Sequence, residues 1–275
     1  MPRQDDNELE KIEIELLIES LYRRYGVDLR HYERASLRRR IHERMLQEQA
    51  ATVSGLQEKV LHEAECLERL LLALSSNNGT MFGDPGFYSV FREKVVPLLR
   101  TYPFVRIWHA GCSTGEEIYS IAIALEEEGL YQRSRIYATE ISREAVKKAR
   151  EGVFPLSEAP QYTSNYLRAG GKKFFSNYYT ARGGQLFFDP ALKRNVTFLE
   201  HNLATDGSFN EFQMIICRNV MPYFNLELQE RVHELIYESL VVFGVVGLGR
   251  EESMRSSPRE AFYETLGEGI YRKVL

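Results

Sequence analysis

Across residues 9–21 the apolar side chains Leu9, Ile12, Leu16, Leu17 and Leu21 recur at helical spacing, and Gly26 then supplies a stop. A second helix is predicted after Ser36, where Leu37, Ile41 and Met45 form a stripe at every fourth position. Arg34, Arg38, Arg39, Arg40, His42 and Arg44 cover the rest of that helix. A leucine-rich helix over residues 56–74 completes a small bundle. Two readings of the arginines stand: a solvated face, as helix surfaces are by default, or a dock for an acidic helical partner.

After Pro97 the pattern changes in kind. FVRIWHAG is a short apolar run ending in a glycine loop, and Ile118, Ile121, Ala122 and Leu125 follow at helical spacing, closed by Gly129. RIYATE is a second strand ending in an acid, and residues 145–150 continue as a helix capped by Gly152. NVTFLEHNL and FQMIICRN read as buried strands, with a helix over residues 226–240 and a strand over 245–249 continuing the alternation. Alternating strands and helices imply an α/β fold with a mostly parallel, doubly wound sheet covered on both faces.

Composition narrows the class. The 275 residues are 44% apolar and 27% charged, enough for a substantial core, and no apolar run approaches the roughly 20 residues of a membrane span. The leading segment MPRQDDNELEK lacks the apolar core of a secretory signal, so a cytoplasmic location without membrane insertion is expected. The three cysteines, Cys66, Cys112 and Cys217, have no metal-ligand spacing, which argues against a disulfide scaffold or a metal site. A net charge of −4, with basic surface confined to one helix, gives no reason to expect nucleic-acid binding.

Candidate chemistry gathers where the strands should end. HAGCSTGEE places Gly111 and Gly115 so that the backbone can approach a ligand at a helix N-terminus, and Glu140, closing the next strand, can accept the hydroxyls of a ribose. The competing reading is an ordinary strand-to-helix turn with Ser113 or Thr114 as N-cap. The spacing from Gly111 to Glu140 exceeds that of a dinucleotide fingerprint, which disfavours a nicotinamide cofactor and leaves other adenosine ligands open. His109 reads as a buried, satisfied histidine ahead of an acid or base, Cys112 and Cys217 as inert small apolar residues, and Phe174, Phe175, Tyr178 and Tyr179 as hairpin packing.

AGCSTGEEIYSIAIAL, IYATEIS followed by KKAREGVFP, HNL, ICRNVMPYF and GLGREESM, in that order, resemble the CheR family of chemotaxis-receptor methyltransferases along essentially the whole chain. The resemblance implies a SAM-dependent methyltransferase Rossmann-like domain over residues 77–275, preceded by an all-α domain over 1–76. It also implies a small antiparallel β insertion over 162–194, where Gly170, Gly171, Gly183 and Gly184 would mark hairpin turns. It implies S-adenosylmethionine (SAM) as donor, S-adenosylhomocysteine (SAH) as product, and glutamate carboxylates of an acidic helical receptor region as acceptors. The protein is expected to act as a monomer.

The same resemblance assigns Asn77 and Gly111 to the cofactor wall, Glu116 to the amino group of the SAM methionine, and Glu140 to the ribose. Asn202 and Leu203 fall beside the adenine, and Arg218 and Asn219 close the pocket. Tyr223 would stand by the methyl group, and Arg38, Arg39, Arg40 and Arg44 would dock the partner. The chain departs from the family pattern in four places. Glu140 stands for Asp, Pro222 for an apolar residue, and in SNNGTMFGDP Gly79 and Gly83 replace a Thr and an Arg. Thr80 or Arg250 is the candidate to take over from the lost polar groups. The alternative to an enzyme is a weakened or inactive adaptor that binds SAM, SAH or a partner helix.

Overall fold

The computed structural model describes residues 4–75 and 79–275. Within the first stretch lie four helices: α1 (Gln4–Tyr25), α2 (Arg34–Gln47), α3 (Val53–His62) and α4 (Ala64–Ser75). In α1 the buried stripe is Ile14, Leu17, Ile18 and Leu21, whereas Leu9, Ile12 and Leu16 are exposed. The inward face is therefore rotated from the one the spacing first suggests, because Ile14 and Ile18 complete a tighter i, i+3, i+4, i+7 set. The leucine-rich segment is two helices, not one. Glu63, in extended conformation, breaks it, and its carbonyl starts α4 by accepting from Cys66 and Leu67. The break lets Leu56 and Val60 share one core with Leu67, Leu70 and Leu74.

The second stretch begins with α5 (Pro85–Val90), which runs through a π-helical turn at Phe91–Val95 into α6 (Val96–Arg100). The ladder loosens just ahead of Pro97, which has no N–H to give. Then come β1 (Val105–Ala110), α7 (Glu116–Glu127), β2 (Ser134–Glu140), α8 (Arg143–Glu151), β3 (Val153–Pro155) and α9 (Ala159–Arg168). The chain continues as β4 (Tyr179–Arg182), β5 (Gln185–Phe188), β6 (Val196–Glu200), β7 (Phe212–Cys217), α10 (Leu226–Ser239), β8 (Leu240–Leu248), β9 (Tyr263–Gly267) and β10 (Ile270–Lys273).

Seven strands form the main sheet in the order β6-β2-β1-β7-β8-β10-β9. The first five run parallel, and β10 is antiparallel to both of its neighbours. Alternate residues along the central strands serve opposite faces. Ile107, Met214 and Val245 pack with α7, while Trp108, Ile215 and Val246 pack with α10. The chain reverses its winding direction between β1 and β7, which is where a doubly wound sheet opens a crevice at its carboxyl edge.

A separate sheet, β3-β5-β4, is antiparallel. Gly183 and Gly184, both at positive φ, form its two-residue hairpin turn, the backbone shape that glycine pairs favour. Gly170 and Gly171 do not mark a hairpin. Gly170 ends α9 at positive φ, and Gly171 lies so close to the Tyr166 ring that a Cβ there would sit 2.2 Å from it. Of the aromatic run, Phe175 and Tyr178 are buried against Tyr166 and Phe188, and Phe174 is exposed.

Candidate active site

Two cavities lie side by side at the carboxyl edge of the main sheet. The first is lined by Tyr32, Gly111, Glu140, Asn202, Leu203 and Tyr223, among others. Gly111 adopts φ +73°, and a Cβ there would stand 2.7 Å from Val220, so only glycine leaves the wall open. The loop after it is tied to Glu140: the Ser113 amide donates to one carboxylate oxygen at 3.0 Å and the Ile141 amide to the other at 2.7 Å. Neither Ser113 nor Thr114 caps α7. Gly115, at φ +98°, takes the N-cap position and leaves the first amides without a side-chain cap. Burial pushes the Glu140 carboxyl up to about 7 against these amides.

The helical domain supplies part of this wall. Glu33 donates its amide to the Tyr223 carbonyl at 2.8 Å, Asn225 donates to the His31 carbonyl at 2.8 Å, and the Tyr32 ring meets Phe224 edge-on. Arg40 does not share the exposed face of α2. It is buried, stacked 4.0 Å over the Tyr223 ring, and donates to the carbonyls of Ala73 and Leu74. The rest of the basic run divides: Arg38 is exposed but paired with Glu10, Arg44 is paired with Glu48, and Arg39 is exposed.

The second cavity is lined by Thr80, Asp84, Glu117, Arg168, Arg218, Asn219 and Arg250, with Gly79, Gly83 and Pro85. Its floor is an ion network. Arg218 pairs with Glu117, donates to Asp84 at 2.9 Å and to the Leu248 carbonyl at 3.2 Å, and lies 4.1 Å over the Phe87 ring. His109, buried, holds the other Glu117 oxygen at 3.1 Å. Burial raises the Glu117 carboxyl, but Arg218 and His109 outweigh it and hold the group at about 2. Cys112 and Cys217 are buried, and burial pushes both thiols well above their ordinary range, so neither is poised to react.

Of the sequence-predicted residues, Gly111, Glu140, Asn202, Leu203 and Tyr223 meet in the first cavity, and Arg218 and Asn219 in the second. Asn77 lies outside the described residues. Glu116 lines neither cavity and instead accepts from the Thr114 hydroxyl at 2.7 Å. Its neighbour Glu117, which sequence reasoning did not single out, occupies the site.

A second residue missed in the sequence is Glu252. One of its carboxylate oxygens accepts from the amides of Val220 at 2.7 Å and Met221 at 2.8 Å; the other accepts from Asn219 at 2.9 Å and from Gly249. This clamp fixes the loop that carries Arg218, Asn219 and Tyr223, and it holds Asn219 at φ +60°. Glu252→Gln turns an amide N–H toward backbone N–H donors. The variant is expected to lose about 1–3 kcal/mol of stability, read by thermal melting, and to bind SAH more weakly in calorimetry.

Fold and cavities define a doubly wound α/β protein with its candidate ligand site across the strand ends. The sequence matches the family description "CheR methyltransferase, SAM binding domain" over residues 77–267 and "CheR methyltransferase, all-alpha domain" over residues 12–75. The chain is 46% identical over 264 residues to the putative methyltransferase Cher3 of Pseudomonas putida, covering 95% of this chain and 97% of that one. It is 26% identical to the chemotaxis protein methyltransferase of Listeria innocua, covering 90% and 92%. Among solved structures, the plantazolicin methyltransferase BpumL in complex with SAH gives a TM-score of 0.38 at 13% identity, covering 77% of this chain and 61% of that one.

The chain belongs to the CheR methyltransferase family, and its cofactor is SAM. The residues present fit that group. The Ser113 hydroxyl is buried without a partner in the glycine loop, Gly111 leaves open the space a Cβ would fill, and the Glu140 carboxyl lines the same cavity.

Proposed function

We propose that this protein transfers the methyl group of SAM to glutamate side-chain carboxylates in an acidic helical cytoplasmic region of a chemoreceptor or receptor-like signalling protein. The observation that carries the reading is the pair of cavities at the strand ends, one lined by Gly111, Glu140, Asn202 and Leu203 and the other rimmed by arginines, joined by the single loop of residues 218–223. The names of relatives such as the Listeria chemotaxis protein methyltransferase support the signalling context.

SAM supplies an electrophilic methyl group on a sulfonium. Glu140 would hold the ribose hydroxyls, Asn202 and Leu203 would flank the base, and Tyr223, fixed by Arg40 above its ring, would border the reacting atoms. A carboxylate is a nucleophile at neutral pH, so no side chain needs to take a proton. The chain's task is in-line placement and exclusion of water. An O–C bond forms as the S–C bond breaks, giving a methyl ester and SAH. The network of His109, Glu117 and Arg218 then has a positioning role: Glu117 is held by both partners, while the buried His109 Nδ1 has no hydrogen-bond partner, so the histidine is only half satisfied. Arg38 and Arg39 on the outer face of α2 would meet the acidic partner.

The test is transfer of tritiated methyl from SAM to purified receptor cytoplasmic fragments, with release of the label as methanol in base. Base-labile label on glutamate is the expected result. Micromolar SAH binding without label on any fragment would replace the enzyme by a SAM-binding adaptor.

A further inference from the structure

We infer that Gln229 is a positioning residue for Tyr223 in the methyl transfer, an inference that rests on the function proposed above and adds the side chain that aims the tyrosine. Gln229 stands in the first turn of α10, half-buried, and its Nε2 donates to the Met221 carbonyl at 3.1 Å and to the Phe224 carbonyl at 2.9 Å. Those two residues bracket Pro222 and Tyr223. A carboxamide nitrogen has two N–H donors, which matches the two carbonyls in front of it. Gln229 lines neither of the two cavities at the sheet edge, so it acts on the site through the turn that it holds.

The local sequence explains the reach. Asn225 is the N-cap of α10: its side chain accepts from the Leu228 amide at 3.0 Å, and its carbonyl accepts from the Gln229 amide at 2.9 Å. Side chains on a helix lean toward its N-terminus, so the head of Gln229 crosses back over the cap to carbonyls that precede the helix. The segment it meets is a single 3-10 turn, Met221–Tyr223. There Tyr223 donates its amide to the Val220 carbonyl at 3.1 Å, and Phe224 donates to the Met221 carbonyl at 3.0 Å. Pro222 fixes φ early in this turn and has no N–H to leave unpaired. A 3-10 turn has poor hydrogen-bond geometry and here no second turn to brace it, so side-chain ties set its direction.

The ties are complementary. Glu252 takes amide protons on the entry side of the turn, from Val220 and Met221, whereas Gln229 gives protons to carbonyls at both of its ends. From the helical domain, Glu33 donates to the Tyr223 carbonyl and Arg40 covers the ring. Gln229 adds the link to α10, whose inner residues Leu228, Val232 and Ile236 share one core with Met221 and Phe224. That core is a rigid base for a side chain that has to be placed to within about 0.5 Å. Losing the donor strands two carbonyls while leaving Glu140, Asn202 and Leu203 on other elements untouched, and a misplacement of about 1 Å at the ring can cost roughly 100-fold in rate.

The test uses the full-length protein labelled with fluorotyrosine, in which the fluorine resonance of Tyr223 is identified by its loss in Tyr223→Phe. Gln229→Met keeps the length of the side chain and removes the donor, and Gln229→Lys restores a donor. Gln229→Met is expected to move or broaden the Tyr223 resonance and to lower kcat for methylation of receptor fragments about tenfold or more, with KM and SAH affinity changed less than about threefold. Gln229→Lys is expected to bring both the resonance and kcat back toward wild type. Arg259→Met, which breaks the pair with Glu234 further along α10, controls for loosening of the helix and should lower the melting temperature with the Tyr223 resonance in place. Three results overturn the assignment: an unmoved resonance in Gln229→Met, equal effects of the Met and Lys variants, or the same shift in Arg259→Met. Because the resonance is read without SAM or acceptor, failure to label receptor fragments would sink the enzymatic reading and leave the placement of Tyr223 to be decided by the spectrum.

Discussion

Replacing Arg218 by leucine is expected to destabilise the folded chain by about 3–5 kcal/mol, because removing one member of a buried ion network strands the others uncompensated. Arg218 is 5% exposed and joins Glu117 and Asp84 beneath the second cavity. The pH dependence gives the effect a sign. In the wild type Glu117 is held at about 2 against an ordinary value of 4.5, so its contribution is fully present above 4.5 and is lost as pH falls through about 2. Without Arg218, burial dominates and pushes the carboxyl above its ordinary value. The stability of the variant should therefore improve as pH falls from 7 to 5, over a range where this group leaves the wild type unchanged. Urea midpoints at those two pH values check it, and Arg218→Leu/Glu117→Gln should recover part of the loss. A wild-type-like midpoint for the single variant would mean that the network carries no structural weight.

The second large effect is expected at Glu140. With its carboxyl at about 7, roughly a tenth is ionised at pH 6 and nine tenths at pH 8. A diol donating to the carboxylate selects the ionised form, so SAH affinity should rise about tenfold over that interval. The sign for stability is opposite. A carboxyl raised from 4.5 to about 7 makes the ligand-free protein lose stability as pH rises through that window, and bound SAH should offset the loss. Glu140→Gln should abolish the slope and weaken SAH by roughly 10- to 150-fold, the equivalent of losing charge-assisted hydrogen bonds worth about 1.5–3 kcal/mol. His201 lines the same cavity, so His201→Gln is the control. Calorimetry between pH 6 and 8 decides; a slope that survives in Glu140→Gln and disappears in His201→Gln would reassign it.

Much of this arrangement is legible in the residues. The central strands announce themselves because parallel strands buried on both faces must be apolar throughout, as in FQMIIC. The outer pair β9 and β10 escapes that rule: YETLG and IYRK are short, half polar and separated by a tight turn, with no periodicity to read. The break at Glu63 has neither glycine nor proline to signal it and is set by the packing of α3 and α4. Site residues were legible where a backbone requirement fixes them, as at Gly111. They were illegible where neighbouring side chains compete: Glu116 and Glu117 differ only by the rotation between successive helical positions, which sends one to Thr114 and the other to Arg218. Arg40 reads as surface in a basic run, and only the docking of α2 against Tyr223 reveals that its stem and head are covered.

Because Tyr32, Leu74 and Ser75 of the helical domain line the same cavity as Glu140 and Asn202, the two domains build that cavity together. Exchanging the helical domain between paralogues to redirect partner choice would also rebuild one side of the pocket. Inherited changes at Tyr32 and Arg40 should therefore travel with changes at Tyr223 and Phe224. The seam between the domains, rather than either domain alone, is therefore the unit that a domain exchange would have to carry over intact.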